Sequence, residues 1–150
     1  MTTPRLVEVT VDNVEDACDL KVAKHQRDYV APVACSLAEA YVQHEIAWPR
    51  LIYAGNKLVG FVMAAFDPDN PTDYYRHYLW RLNIAAKHQK KGYGRFAVQA
   101  VLAEARRRDA EFVTVSWMPG KHSPGPFYQQ LGFRPTGEMD DDEIVARIQL

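Results

Sequence analysis

The stretch from Tyr74 to Arg108 constrains this chain most. Tyr74 to Ile84 reads as a long strand, with aromatics at Tyr74, Tyr78 and Trp80. Gly92 to Arg108 reads as a helix, because Tyr93, Phe96, Ala97, Ala100, Val101 and Ala105 recur at helical spacing on one face. Between them lies Gln89-Lys90-Lys91-Gly92-Tyr93-Gly94-Arg95. Its two glycines let backbone approach a ligand closely. The helix start leaves several N–H groups without intrahelical partners, and the helix dipole adds partial positive charge there. Such a place suits phosphate oxygens. Lys90, Lys91 and Arg95 add full positive charges.

The rest of the chain alternates strands and helices around this unit. Leu6 to Thr10 reads as a first strand, and Asn13 can cap a helix carrying Val14, Ala17, Cys18 and Lys21-Val22. After Pro32, Ser36 with Glu39 forms a capping box for a second helix, with Leu37, Ala40 and Tyr41 inward. Leu51–Ala54 and Leu58–Ala64 form a hairpin across Gly55-Asn56. Phe112–Trp117 is a strand, Pro126–Leu131 a short helix, and strands from Phe133 and over Ile144–Ile148 close the chain. The 150 residues fit one α/β (α+β) domain over 1–150. Hydrophobic residues make up 47% and charged residues 25%, an ordinary globular balance. No apolar run approaches the roughly 20 residues of a membrane helix, and no secretory core follows Met1, so a cytoplasmic protein is expected. Cys18 and Cys35 read as reduced thiols, and the five histidines show no metal-ligand spacing, so no metal is expected.

Three nucleotide-binding readings compete for the glycine loop. A Walker loop needs Gly-Lys-Ser/Thr, which Gly94-Arg95-Phe96 does not supply. Gly92-x-Gly94-x-x-Ala97 matches the dinucleotide fingerprint in form. However, seven residues separate Ile84 from Gly92, too many for the tight first turn, and the next strand ends in Ser116-Trp117 without a carboxylate for a ribose. The third reading is a resemblance. Gln89, Gly92 and Gly94 are similar in position and identity to the Gln/Arg-x-x-Gly-x-Gly/Ala loop of the GNAT superfamily of acyl-CoA-dependent N-acetyltransferases.

Phe127-Tyr128-Gln129-Gln130-Leu131-Gly132-Phe133 resembles that superfamily's second motif, at the matching distance and with the matching helix and strand between. Tyr78-Leu79-Trp80-Arg81-Leu82-Asn83-Ile84, Gln26-x-x-Tyr29-Val30-Ala31 and Ser36–Tyr41 look like the diamine and polyamine branch. The resemblance implies a mixed, mostly antiparallel twisted sheet of about six to seven strands flanked by about four helices. It implies acetyl-CoA as co-substrate. Backbone groups of Leu82, Asn83 and Ile84 would pair with the pantetheine arm. Gln89, Lys90, Lys91, Gly92, Tyr93, Gly94 and Arg95 would hold the pyrophosphate, with Phe127 beside the cofactor. Tyr128 would protonate the departing thiolate, a transfer uphill by about 1.5 pKa units that needs a positioned hydrogen bond. Where the family often has Asn and Ala, this chain has Lys121 and Pro124. Ser123 could replace the Asn, or Lys121 could meet a phosphate.

The acceptor must lose a proton before it attacks, since an alkylammonium has a pKa near 10.4. Glu45, Asp28 and Asp73 are candidate bases, and a water relay is an equal alternative; Gln26 and Tyr29 join these acids as candidate acceptor-binding residues. Residues 76–109 carry nine basic against two acidic residues, a balance of +7, and residues 1–48 and 138–150 each carry −4. One surface thus suits an anion such as CoA and another a cationic small-molecule amine. The basic segment lacks a nucleic-acid motif. A homodimer is allowed. The alternatives are a module of the same fold that binds acyl-CoA without turnover, and an acetyltransferase acting on protein N-termini, lysines or aminoglycosides.

Overall fold

The computed structural model describes residues 2–150. Its strands are β1 (Pro4–Val7), β2 (Ala47–Ala54), β3 (Lys57–Phe66), β4 (His77–Ile84), β5 (Phe112–Trp117), β6 (Arg134–Asp140) and β7 (Glu143–Gln149). Its α-helices are α1 (Val14–Asp19), α2 (Val33–Val42), α3 (Tyr93–Arg107) and α4 (Gly125–Gln130). The strands form one sheet in the order β1-β2-β3-β4-β5-β7-β6. Every pairing is antiparallel except β4 with β5. The expected mixed, mostly antiparallel sheet with four helices is therefore present.

Strand β3 is buried over nearly its whole length because both faces of the sheet are covered. Its residues alternate between two cores. Val62, Ala64 and Phe66 pack with Ala97, Val98 and Val101 of α3 and with Phe133. Phe61 and Met63 pack with Ala17 of α1 and Val33 of α2. The turn Gly55-Asn56 joins Ala54 to its partner Lys57, as the hairpin reading requires.

Several local readings need correction. Helix α2 starts at Val33, directly after Pro32, so Ser36 lies inside it, fully buried, and makes no capping box. Proline fixes its own φ and suits a helix entry, and the fully buried Val33 sets the inner face. Tyr41, eight residues on, lies about 80° round the helix from Val33 and is 82% exposed rather than inward. Glu39 is freed from a cap and instead accepts from Arg81 Nη2 at 3.2 and 3.3 Å. Asn13 precedes α1, but its side-chain oxygen accepts from Thr10 N–H, not from the helix. Helix α1 ends at Asp19, and Val22 is buried from the following loop. Tyr74 and Tyr75 belong to a 3-10 turn over Asp73–Tyr75, and the strand begins at His77. Strand β1 ends at Val7, before Thr10.

Candidate active site

The single parallel pairing shapes the site. Strands β4 and β5 pair only at Tyr78 with Thr114 and Leu79 with Val115, then diverge. Just there β4 carries a bulge: Ala64 faces Leu79 and Met63 faces Arg81, leaving Trp80 as the extra residue. A bulge bends its strand. The gap opens into a cavity of about 1030 Å³ lined from β4, β5, the start of α3, α4 and the connection between α1 and α2.

One wall is a free strand edge. Ala85 N–H donates to Val59 in β3 at 2.9 Å. Hydrogen-bonding groups alternate along a strand, so Asn83 and Arg81 also turn their backbone to β3. Leu82 and Ile84 turn theirs to the gap. Gln89 Nε2 already donates to Ile84 C=O at 3.1 Å. Asn83 is 3% exposed and does not line the cavity; its side-chain amide donates to Ala31 C=O at 3.0 Å, tying β4 to the loop before α2.

The floor is the start of α3. Gly92 takes the N-cap position at φ 90°, a left-handed conformation that only glycine adopts without strain. Its carbonyl accepts from Phe96 N–H at 3.0 Å, so the N–H groups of Tyr93, Gly94 and Arg95 lie before the first intrahelical donor. A side chain on Gly94 would come within 3.1 Å of the Phe127 ring, so glycine lets α4 close against α3. Lys90, Gly92, Tyr93, Gly94 and Arg95 line the cavity; Lys91 turns away into a smaller hollow beside Lys57 and His88. The Gln89 amide is held by the Gln26 amide, so its side chain braces the loop.

Opposite stands Tyr128, 6% exposed, stacked on Trp117 at 5.9 Å and 16°, with Phe127 and Phe133 edge-on. Burial pushes its hydroxyl pKa well up, so the phenol keeps its proton across the ordinary pH range. Ser123 lines the cavity while its Oγ accepts from Gly125 N–H at 3.2 Å, whereas Lys121 does not line it. His25 lies against His122, with ring centroids 4.9 Å apart, and Tyr29 lies against Gly120. These contacts bring the α1–α2 connection against the loop before α4.

The expected acids divide. Asp28 lines the cavity with Gln26 and Tyr29, but Gln26 sits at the α3 end. Glu45 and Asp73 do not line it; Glu45 lies in an exposed turn, and Asp73 pairs with Arg76 at 3.2 Å. Two further carboxylates line it, Asp140 at the end of β6 and Glu143 at the start of β7; they belong to the acidic segment read as suited to a cationic amine, though not as candidate bases. Tyr75 Oη donates to Asp140 Oδ1 at 2.6 Å, and the hydrogen bond to that carboxylate raises the phenol's pKa. Ser116 Oγ donates to Glu143 Oε1 at 3.4 Å. Burial raises the Glu143 pKa, the Ser116 hydrogen bond opposes this, and the Asp140 charge adds to it. Tyr78, pushed up to about 12 by burial, and Trp80 continue an aromatic wall, with ring centroids 5.7 Å apart. Among the described residues, no group of three or more His, Cys, Asp or Glu could hold a metal, and no helix is long and apolar enough to cross a membrane.

Comparison with known proteins agrees with this geometry. Residues 14–133 match the model of the acetyltransferase (GNAT) family. No curated protein matches the sequence. Similar solved structures include the PaiA N-acetyltransferase of Thermoplasma acidophilum in complex with coenzyme A (10% identity, 99% of each chain, TM-score 0.71). A GNAT family acetyltransferase of Elizabethkingia anophelis with acetyl-CoA bound is similar at 16% identity, over 98% of each chain, with a TM-score of 0.64. The ribosomal-protein-S18-alanine N-acetyltransferase of Escherichia coli is similar at 13% identity, over 98% of this chain and 94% of that one, with a TM-score of 0.71. At these identities the likeness is one of fold. With most of its length matched by the family model, the chain belongs to the acetyltransferase (GNAT) family, and it is an acetyl-CoA-dependent N-acetyltransferase.

Proposed function

We propose that the enzyme moves the acetyl group of acetyl-CoA to a primary amine of a small cationic acceptor, a diamine or polyamine. The pantetheine arm lies along the free edge of β4 and bonds the backbone of Leu82 and the N–H of Ile84, as an added strand would. The pyrophosphate sits on the N–H groups of Tyr93, Gly94 and Arg95, with Lys90 nearby. Phe127 flanks the arm, and Ser123 offers a hydroxyl at the lower end. The acetyl group then reaches the vertex where β4 leaves β5. The amine attacks the thioester carbon directly, and Tyr128 gives its proton to the sulfur.

The observation that carries the acceptor class is the make-up of the cavity's far end. Asp140 and Glu143 line it together with Tyr75, Tyr78 and Trp80, and Asp28 lines the same cavity from the α1–α2 connection. Carboxylates and aromatic faces both favour an alkylammonium. Two free cysteines, Cys18 and Cys35, support a reducing, cytoplasmic setting. The test is a thiol-release screen with acetyl-CoA against diamines, polyamines, aminoglycosides and N-terminal peptides. Turnover on diamines or polyamines at the highest kcat/KM supports the reading. Turnover confined to peptides would move the acceptor to protein N-termini. Tight acetyl-CoA binding with no turnover on any amine would leave a binding module.

A further inference from the structure

Glu143 is the first residue of β7, which runs antiparallel to β5 with Val145 opposite Ser116 and Ile144 opposite Trp117. Side chains alternate along a strand. Ile144 and Trp117 pack into the core under α3 and α4, so Glu143, Val145 and Ser116 face the other way, toward the α1 and α2 side. The last paired residues of β4 and β5 are Leu79 and Val115. Ser116 is therefore the first β5 residue past the vertex of the gap, and its hydroxyl bonds Glu143. Tyr128 belongs to the core on the opposite face. The two groups thus flank the vertex from opposite sides.

We infer that Glu143 is the general base that removes a proton from the acceptor ammonium. This rests on the acetyl-transfer reading above. Among the carboxylates of the cavity, Asp140 already accepts the Tyr75 hydroxyl at 2.6 Å, and Asp28 is exposed on the α1–α2 connection. Glu143 has only the long contact to Ser116, so its remaining lone pairs are open to a donor. The charges that face it are Arg81 from β4 and Asp140 and Asp141 from the β6–β7 turn. Arg81 is itself engaged by Glu39 at 3.2 Å. Burial and the neighbouring Asp140 lift its affinity for a proton above that of a free carboxylate, which suits a base.

The step balances as follows. An N–H bond of R–NH3+ breaks and an O–H bond forms on Glu143. The freed amine pair attacks the carbonyl carbon, the C–N bond forms, and the C–S bond breaks with its electron pair on sulfur. Sulfur takes the Tyr128 proton. The nitrogen loses its second proton as the amide forms, and that proton restores Tyr128. Glu143 releases its proton to water.

The test compares wild type, Glu143→Gln and Glu143→Asp with acetyl-CoA and 1,4-diaminobutane, reading thiol release from acid to alkaline pH beside a calorimetric CoA titration. Glu143→Gln is expected to keep CoA affinity within about twofold and to lower kcat by roughly 10²–10⁴-fold near neutral pH. Its rate should climb about tenfold per pH unit toward the amine's own pKa near 10.4, while wild type levels off well below that. Glu143→Asp, shorter by one methylene, should keep the wild-type acid limb with a reduced kcat, and it serves if the Gln variant fails to fold. Variants with the wild-type kcat and pH profile would overturn the assignment. So would a raised KM at unchanged kcat, because Glu143 would then only bind the cation. Wild type that binds acetyl-CoA and acetylates no amine would overturn the acetyl-transfer reading itself, and Glu143 with it.

Discussion

Replacing Tyr128 by Phe isolates one oxygen atom. The ring stays between Trp117, Phe127 and Phe133, whose centroids lie 5.9, 5.1 and 5.8 Å from it. Its hydroxyl donates to no described residue, so no partner is orphaned. The stability change is then within about 0.5 kcal/mol, the usual range where no contact is lost. For a chain of this size that is a Tm shift of about 2 °C or less. The effect on catalysis is different in kind. Burial makes the phenol a reluctant acid, so the transfer depends on the hydroxyl being held within hydrogen-bond reach of the sulfur as its charge develops. A positioned proton donor is worth roughly 10²–10⁴ in rate, or about 2.7–5.5 kcal/mol of transition-state free energy. Steady-state thiol release with the best acceptor, beside a CoA titration and a melt of the same variant, separates the terms. The expected pattern is a collapsed kcat with CoA affinity and Tm nearly unchanged. A kcat within about threefold of wild type would refute the proton-donor role and leave water to protonate the sulfur.

Three further outcomes are expected. Acetyl-CoA at about 100 times its dissociation constant should add about 2.7 kcal/mol of stability, seen as a Tm rise of roughly 5–11 °C; a shift with NAD alone would restore the dinucleotide reading. Gly92→Asp puts a side chain at φ 90°, which costs about 1–2 kcal/mol of stability, and sets a carboxylate beside the pyrophosphate site. Its CoA affinity should fall by more than about tenfold in a titration of the folded variant, and an unchanged affinity would remove the loop from the site. Burial, with Arg108 and Arg76, lowers the His77 pKa. Below the ordinary value of about 6.5 the unfolded chain therefore binds more protons than the fold, and stability is lost as pH falls. In His77→Phe the drop in Tm between about pH 7.5 and about pH 5.5 should shrink, and an equal drop would remove His77 from the acid sensitivity.

What was legible in the sequence was local. The strand, loop and helix from His77 to Arg107 carry their own periodicity and glycines, and Tyr128 sits in a compact run ending at Phe133. The second helix was misread because a capping box is a short pattern, and burial of Val33 outweighs it. The acidic segment was legible as charge suited to a cationic amine, but its place in the cavity was not. Glu143 meets Ser116 across 27 residues, and that meeting depends on β7 inserting between β5 and β6. Tyr75 meets Asp140 across 65. In sequence, Glu138 to Glu143 reads as a charged turn, and only the pairing turns Asp140 and Glu143 toward the cavity. Glu45 and Asp73 had the right chemistry, and the fold gives them to solvent.

The most direct measurement is a crystal structure of the protein grown with acetyl-CoA. The account predicts the pantetheine arm along β4 with hydrogen bonds to the backbone of Leu82, the pyrophosphate on the N–H groups that open α3, and the thioester sulfur within hydrogen-bond reach of the Tyr128 hydroxyl. Cofactor bound away from the β4–β5 gap, or a sulfur out of reach of Tyr128 with the acetyl group turned from Glu143, would contradict it.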